Sequence, residues 1–305
     1  MALNLHLVRL FASVVTHNGF GAAGRALRIS QPAVSRAVRE LEAQLGMSLI
    51  VRGNLGIALT DGGRELYAQA LAILDAERTA EAALDAVRGL ERGTLFVGAS
   101  PTIAGYLLPD MIGAFQRRYP GIDVQLTAVP TRGVVRRLFA YQLDIAMAEA
   151  PVSDARLSVV PWRVDDMVAI AAPSHPLASR RRLTAALLAE ELLVLREPQS
   201  RTREVVLGAF KQAGVTPRRI MSVEGIEPIK QLVAGGTGIS VLSRHAIVDQ
   251  LELGRLVILP VRGLVVRRSL NRLSLPARRA SPAARAFNLL LDASADHGPR
   301  KSAAH

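Results

Sequence analysis

The chain of 305 residues contains no cysteine, which excludes disulfides, thiolate metal sites, cysteine nucleophiles and thiol-based redox sensing together. Half of its residues are hydrophobic, yet no uninterrupted apolar run reaches the roughly 18 residues of a membrane-spanning helix. A basic segment followed by an apolar core is also missing at the start, because His6 and Arg9 interrupt the stretch from Leu5 to Val15. We therefore expect a soluble, cytoplasmic, multidomain protein without an export signal or a membrane partner.

Positive charge is spread unevenly over the chain, whose formal net charge is +12. Residues 1–60 carry six basic against two acidic residues, a balance that favours a nucleic-acid partner, and residues 255–305 carry ten against two. For the C-terminal excess we expect a solvated surface, with a second DNA-facing patch as the alternative. This excess includes Arg267, Arg268, Arg272, Arg278 and Arg279.

The segment from Phe20 to Gly46 predicts two short helices joined by a tight turn. Ser30 is a good N-cap and Pro32 is tolerated in the first helical turn. Because Gly46 follows the last apolar residue, the second helix is expected at Gln31 to Leu45. Its apolar residues recur at helical spacing and predict one buried stripe of Val34, Ala37, Val38, Leu41 and Leu45.

The opposite face of this helix is short, polar and basic. Glutamine, serine and arginine side chains reach base edges and phosphates from a recognition helix, whose N-terminal half enters the major groove. The alternative is an ordinary helical hairpin with solvated arginines. The residues expected to contact DNA from this helix are Gln31, Pro32, Ser35, Arg36 and Arg39.

Two further elements follow the helix pair. The segment Ser48 to Thr60 predicts a hairpin wing with Asn54 and Gly56 near its tip, from which Arg52 is placed to contact a phosphate. A long helix capped by Thr60 then carries a heptad pattern, which predicts dimerisation through a coiled coil. The alternative is an amphipathic helix that packs only on its own domain. The seam residues are Leu66, Ala70, Ile73, Glu77, Ala80, Leu84 and Val87.

Residues Leu5 to Leu90 resemble the N-terminal domain and linker helix of the LysR-type transcriptional regulators. The resemblance is carried by SQPAVSRAVRELEAQLG at Ser30 to Gly46, by LTDGG at Leu59 to Gly63, and by Phe11, Phe20, Ala22, Ala23 and Leu27. It implies a regulator that binds double-stranded promoter DNA as a homodimer or homotetramer. A small-molecule effector and RNA polymerase are the further partners that it implies.

The chain departs from the family pattern at two places. Gly19 and Gly21 flank Phe20 where family members usually carry Ser or Thr, so a side-chain helix cap is missing. Leu55 stands where the family wing commonly carries a second arginine. One phosphate contact fewer predicts weaker DNA binding with a shallower salt dependence.

Glycines and charges interrupt the heptad pattern from Arg88 to Gly93 and predict a hinge. Beyond it, strand-like and helix-like segments alternate, which predicts an α/β body with a largely parallel sheet in two lobes. The family resemblance implies a periplasmic-binding-protein-like effector domain.

The expected organisation therefore has four parts. An N-terminal all-α winged helix-turn-helix domain (1–60) precedes a linker/dimerisation helix with its hinge (61–92). The effector domain (93–292) consists of lobe I, about 93–161 and 266–292, and lobe II, about 162–265. A disordered tail is expected at 293–305.

Ligands of such folds bind in the cleft between the lobes, against strand ends and helix N-termini. Hydroxyls and guanidinium groups at helix starts favour an anion, while a carboxylate could receive a proton or an N–H from the ligand. The alternative is helix capping by Ser and Thr without any ligand. The acidic segment Glu224 to Glu227 is expected at the rim. The candidate ligand-binding residues are Ser100, Thr102, Glu149, Arg196, Ser200, Thr202 and Arg203.

Within the family, ASPTIAGYLLP at Ala99 to Pro109 and the LREPxSxTRE pattern at Leu195 to Glu204 are similar to the branch that controls sulfur assimilation and sulfite reduction. They are somewhat similar to the branch that controls carbon fixation. The first similarity implies a small oxyanion such as sulfite as effector, and an organic acid is the alternative. Arg201 stands where the sulfur branch usually has glycine.

An enzyme or a solute-binding transport protein fits the sequence less well. A phosphate loop, metal-spaced histidines and a nucleophile elbow are absent from the sequence, and no acidic pair stands at a plausible catalytic site. Gly235 to Gly238 follows a helix rather than opening one, which indicates a turn. A transport protein does not explain residues 1–90. We therefore expect no catalytic residue, no metal and no cofactor.

Overall fold

The computed structural model describes residues 3–53, 56–87, 92–149 and 151–295. Contacts divide the chain into two compact units, Met1–Leu84 and Asp85–His305. In the described ranges, no helix is both long enough and apolar enough to span a bilayer. The predictions for Asn54 and Leu55, for the hinge at 88–91 and for the tail beyond Ala295 lie outside the described residues.

The N-terminal unit combines three short helices, a two-stranded wing and a long helix. Its elements are α1 (Leu5–Thr16), α2 (Phe20–Leu27), α3 (Gln31–Leu45), β1 (Ile50–Gly53), β2 (Gly56–Leu59) and α4 (Asp61–Val87).

Helix α3 has the bounds that its capping residues predict. The Ser30 hydroxyl accepts a hydrogen bond from the Ala33 N–H at 3.4 Å, and Gly46 adopts a left-handed φ of 67°. Four of the five predicted stripe residues are buried, and the fifth, Leu45, packs against the same core. Helix α2 begins after Gly19, which offers no side-chain cap, as its sequence predicts.

The N-terminal half of α4 packs on its own unit. Leu66 and Ala70 belong to the core that contains Phe11, and Glu77 forms an ion pair with Arg9 at 2.7 Å. Farther along the predicted seam, Ala80 and Leu84 are exposed. The first residues of the heptad pattern therefore pack within the unit, whereas later apolar residues of the pattern face solvent in a single chain.

The second unit alternates strands and helices. Its strands are β3 (Gly93–Ala99), β4 (Ile122–Ala128), β5 (Ile145–Glu149), β6 (Ser158–Ala171), β7 (Leu183–Thr184), β8 (Leu192–Arg196), β9 (Arg219–Val223), β10 (Ser240–Ser243), β11 (Val257–Ile258), β12 (Val261–Arg262) and β13 (Val266–Ser274). Its helices are α5 (Pro101–Tyr106), α6 (Pro109–Arg118), α7 (Thr131–Phe139), α8 (Ala185–Glu190), α9 (Arg201–Gln212), α10 (Ile226–Ala234), α11 (Val248–Glu252) and α12 (Pro282–Ala295), with a short 3₁₀ helix at Arg244–Ile247.

The main sheet is mixed, which corrects the expectation of a largely parallel one. Its order is β10-β6-β13-β5-β3-β4, with β3 parallel to β4 and β5, and with β13 antiparallel to both β5 and β6. Strands β6 and β13 carry the chain from lobe I to lobe II and back, so they run in opposite directions. Strand β6 is the longest strand of this sheet and runs from Ser158 to Ala171.

Each lobe has an apolar core on both faces of its strands. In lobe I, one core contains Phe115, Trp162 and Phe287, and α12 contributes to it. In lobe II, β8 and β9 pair in parallel, and Leu193 bridges to Ile239 just before β10. Helix α12 continues through Ala295, three residues into the predicted tail.

Candidate functional site

Helix α3 presents its predicted DNA-contacting side chains on one face. Gln31, Pro32, Arg36 and Arg39 are exposed and Ser35 is half-buried, opposite the buried stripe. Arg52 lies on β1 opposite Ile57, and its side chain is outside the described part of the wing. The face therefore offers amide, hydroxyl and guanidinium groups, which are kinds of group that read base edges in the major groove.

The cleft between the lobes of the second unit is organised around Arg268. This residue lies on β13 and is the register partner of Asp165 on β6, with 2.8 Å between Nε and Oδ2. Only 1% of the Arg268 side chain and none of the Asp165 side chain is exposed. Asp165 also accepts a 2.6 Å hydrogen bond from the Ser243 hydroxyl of lobe II.

The Arg268 guanidinium contacts residues of both lobes. Its Nη2 donates to the Thr102 hydroxyl of lobe I at 2.9 Å, and its Nη1 donates to the Thr202 hydroxyl of lobe II at 2.8 Å. The Glu149 carboxylate lies 3.2 Å from Nη1 and also accepts from the Thr131 hydroxyl. Three residues chosen from separate sequence segments therefore meet at one buried cation.

Arg268 and Asp165 are the buried residues of the cleft that sequence reasoning missed. The expectation of a solvated surface at Arg268 is wrong, because successive side chains of a strand point to opposite faces. Arg267 is exposed and pairs with Asp166, whereas Arg268 is buried and pairs with Asp165. The available signal was an Arg-Arg pair at 267–268 and an Asp-Asp pair at 165–166, which the structure places on neighbouring strands.

Two other arginines of the basic C-terminal region also form ion pairs. Arg272 pairs with Asp292 at 2.7 Å, and Arg278 pairs with the buried Asp144 at 3.0 Å. Of the five arginines named for that region, Arg279 alone is exposed and forms no ion pair with any residue that the structure describes.

The cleft is rich in unused hydrogen-bond donors. Because Thr102 and Thr202 accept from Arg268, each keeps its own O–H proton for another acceptor. The buried Ser100 hydroxyl has no hydrogen-bond partner among the described residues. Ser200 is the N-cap residue of the 12-residue helix α9, but its side chain accepts no hydrogen bond from the helix. The first backbone N–H groups of α9 therefore also remain without a side-chain acceptor at the cleft.

The predicted arginines Arg196 and Arg203 have different roles. Arg196 is 7% exposed and forms two 2.7 Å hydrogen bonds with the Glu197 carboxylate. Burial raises the pKa of Glu197, but hydrogen bonds from Arg196 and from backbone N–H groups outweigh it, so the pKa lies below its usual value. Arg203 donates instead to Ser222 at 2.6 Å and to the Arg196 carbonyl, so it braces the ends of β8 and β9.

The predicted acidic rim forms a contact between the lobes. The Tyr106 hydroxyl of lobe I donates to Glu227 of lobe II at 2.5 Å, and buried Lys230 lies at the same distance from that carboxylate. Burial and Glu227 together raise the pKa of Tyr106 above its usual range. These groups therefore hold one edge of the cleft closed.

The cleft encloses a cavity of about 70 Å³, which suits a small ligand. The charges that line it are balanced, because the arginines at 132, 196 and 201 face the glutamates at 149, 197 and 204. Selectivity for an anion would therefore come from the directed N–H and O–H groups rather than from net charge. Among the described residues, no group of three acidic or histidine side chains could hold a metal ion.

Comparison with protein families matches both units. Residues 5–64 match the bacterial regulatory helix-turn-helix proteins of the lysR family, and residues 88–295 match the LysR substrate binding domain. A RuBisCO operon transcriptional regulator from Allochromatium vinosum is 36% identical over 287 residues, which cover 94% of this chain and 95% of that protein. The expected similarity to the sulfur-assimilation branch finds no support in this match.

Solved structures show the same architecture. The CcmR regulatory domain of Synechocystis, in complex with 2-PG, is 30% identical and has a TM-score of 0.63 over 68% of this chain and 100% of that chain. Full-length OxyR from Pseudomonas aeruginosa has a TM-score of 0.74 at 24% identity, over 96% of this chain and 94% of that one. The second similarity concerns the fold alone.

Proposed function

The chain belongs to the LysR family of transcriptional regulators and is not an enzyme, and from this premise we propose that it controls a carbon-fixation operon in response to a small organic anion. The anion binds in the cleft between lobes I and II. The observation that carries the ligand class is the pair of hydroxyls, Thr102 and Thr202, that Arg268 orients from opposite lobes.

The proposed DNA interface is the exposed face of α3. Two copies of the chain, joined through α4, place two α3 helices in successive major grooves of a pseudo-palindromic promoter site in the cytoplasm. The exposed Ala80 and Leu84 support a partner helix on α4. A homodimer is the smallest assembly that satisfies this arrangement, and a homotetramer repeats it, with RNA polymerase as the further partner at the promoter.

The proposed anion contacts come from both lobes. Ser100 and Thr102 donate from lobe I, and Ser200, Thr202 and the first N–H groups of α9 donate from lobe II. Such donors favour carboxylate and phosphate oxygens. Since donors from both lobes would converge on one ligand, the bound anion favours the closed arrangement of the lobes.

The relatives favour an organic anion over sulfite. The regulator from Allochromatium vinosum bears the name of a RuBisCO operon, and the CcmR domain was solved with 2-PG. The organic acid left open by the sequence is therefore our first choice, and inorganic sulfite is the second candidate. A ligand that shifts DNA affinity about 5- to 150-fold would need only about 1–3 kcal/mol of coupling between the cleft and the DNA-binding unit.

The test is a thermal-stability titration of the full-length protein with 2-PG, malonate, sulfite and sulfate at constant ionic strength. A ligand that binds only the folded protein raises the melting temperature by mass action. We expect a selective rise with an organic anion and a change in promoter affinity at the same concentrations. A response to sulfite alone would support the second candidate, and no response to any anion would refute the anion site while leaving DNA binding intact.

A further inference from the structure

A second cavity lies in lobe I and shares no lining residue with the cleft. Its volume is about 210 Å³, three times that of the cleft cavity of about 70 Å³. It lies between the end of β13, the start of β5, the chain that leads into α12 and the helix α12 itself. Its polar lining residues include Asp144, Arg272, Arg278, Arg279, Ser281 and Asn288.

Positive charge dominates this lining, because three arginines face one aspartate. Arg278 and Asp144 form an ion pair at 3.0 Å, and Asp144 also accepts from the Phe96 N–H, so this carboxylate is already neutralised. Arg272 pairs through Nη1 with Asp292, whose side chain is 56% exposed. The lining therefore retains the charge of Arg279 and unused donors of Arg272.

Two features of these arginines point to a missing acceptor. The Nε of Arg272 is buried and has no hydrogen-bond partner in the described part of the chain. Arg279 is exposed and makes no hydrogen bond or ion pair with any described residue. Buried N–H groups are rarely left without an acceptor, and a guanidinium group matches the oxygens of a carboxylate or phosphate.

Other lining residues are apolar and favour a ligand with a hydrocarbon part. Leu138, Ile145, Val160, Leu273 and Leu275 line the cavity beside the arginines. A water molecule occupies about 30 Å³ in the liquid, so the cavity has space for a molecule of several non-hydrogen atoms. A small organic acid with a short hydrocarbon part would contact both the arginines and the apolar residues of the lining.

We propose that this cavity is a second effector site that binds a small organic dianion through Arg272 and Arg279, with Ser281 and Asn288 as neutral partners. The ion pair of Arg278 with Asp144 fixes the wall beside it. The proposal is independent of the ligand of the cleft, because the two cavities share no lining residue, although α7 and β5 contribute residues to both. Two effectors could then act on one regulator, one from each cavity.

The chain provides its own reporter for this site. Trp162 is the single tryptophan of the sequence and lies in the core of lobe I. Its indole N–H donates to the Leu291 carbonyl of α12 at 3.0 Å, and α12 also carries Asn288. Ligand binding against α12 should therefore change the fluorescence of Trp162.

The test is a titration of the full-length protein with malonate, followed by tryptophan fluorescence at constant ionic strength. We expect a saturable change whose midpoint rises at least about tenfold in Arg279→Gln and in Arg272→Gln. Arg279 is exposed, so the melting temperature of unliganded Arg279→Gln should equal that of the wild type. The matched control is Arg219→Gln, which removes an exposed arginine of lobe II and should leave the midpoint unchanged.

A cleft variant separates the two sites. Thr102→Val should leave the tryptophan response to malonate intact, because Thr102 lies on α5, which contributes no residue to the lining of this second cavity. A response that is lost in Thr102→Val but kept in Arg279→Gln would overturn the proposal and assign malonate to the cleft. A midpoint that is unchanged in both arginine variants, or the absence of a saturable change in the wild type, would also overturn it.

Discussion

Arg268 and Asp165 form a buried ion pair between the two strands that join the lobes, with 2.8 Å from Nε to Oδ2. Their sequence neighbours, Arg267 and Asp166, form a similar pair on the exposed face of the same strands. The chain therefore contains a buried and an exposed Arg-Asp pair at consecutive positions of one ladder, so the effect of burial can be measured directly.

Arg268→Met should destabilise the protein strongly, by about 3–5 kcal/mol in the free energy of unfolding, because it leaves buried carboxylates without their cation. The matched variant Arg267→Met should lose no more than about 1 kcal/mol, since both partners of that pair are solvated. Urea unfolding of the second unit at neutral pH measures both values. Equal losses in the two variants would contradict the role that we assign to burial.

Thr202→Val replaces a hydroxyl by a methyl group of similar size and should weaken anion binding at least about tenfold. The reason is the loss of a charge-assisted hydrogen bond, typically about 1.5–3 kcal/mol. Isothermal titration with the anion identified by the stability screen measures the change. Thr216→Val, which alters an exposed loop threonine, serves as the control and should bind like the wild type. Equal affinity in both variants would remove Thr202 from the site.

Glu197→Gln should strengthen anion binding several-fold. The Glu197 carboxylate accepts hydrogen bonds from Nε and Nη2 of Arg196, and so competes with a ligand for this guanidinium. A neutral amide keeps the shape but competes less. The same titration tests this variant, with Glu224→Gln as a control on an acidic residue that does not pair with Arg196. Weaker binding in Glu197→Gln would show that Glu197 positions Arg196 for the ligand.

Because of His245, the free energy of unfolding should decrease as the pH falls below about 6.5. Burial lowers its pKa below the usual 6.5, while Asp165 opposes this shift and Arg163 adds to it. In that window the unfolded chain binds the proton more readily than the folded one, so protonation favours unfolding. Urea unfolding between pH 7.5 and pH 5 should show a smaller decline in His245→Gln than in the wild type. The control is His6→Gln, at an exposed histidine, and a decline unchanged in His245→Gln would contradict the assignment.

Arg36→Ala should weaken binding to promoter DNA by about 1–3 kcal/mol if Arg36 contacts a base, as its exposed position on α3 predicts. If it contacts a phosphate, the slope of log K against log salt should fall in magnitude by about 0.9. Gel-shift titrations at three salt concentrations distinguish the two contacts. Arg219→Ala in the second unit is the control, and an unchanged affinity and slope in Arg36→Ala would exclude Arg36 from the interface.

The sequence predicts best where its signals are local. Ser30 and Gly46 define both ends of α3 by short-range capping, so the helix and its exposed face follow from a few neighbouring residues. The candidate residues Thr102 and Thr202 lie at the starts of helices and Glu149 at the end of a strand, as local sequence predicts, and their role in ligand binding stays a prediction.

What the sequence does not reveal depends on distant pairing. Arg268 and Asp165 are 103 residues apart, and only the register of β6 and β13 decides that they face each other inside the protein. Arg203 is another example, because its guanidinium turns to Ser222 rather than to the cleft. The position of a residue at the start of a helix does not by itself show whether its side chain contacts a ligand or connects two strands.

The antiparallel pairing of β6 with β13 limits how the two lobes can move. Both covalent passages between the lobes belong to one hydrogen-bonded ribbon, so a change in the angle between the lobes must twist that ribbon. The register shift between Leu270 and Asn271 is an irregularity of the bulge type, which bends a strand and increases its local twist. A ligand that changes the angle between the lobes would thus twist the ribbon of β6 and β13. The ribbon would return the lobes to their original angle when the ligand leaves.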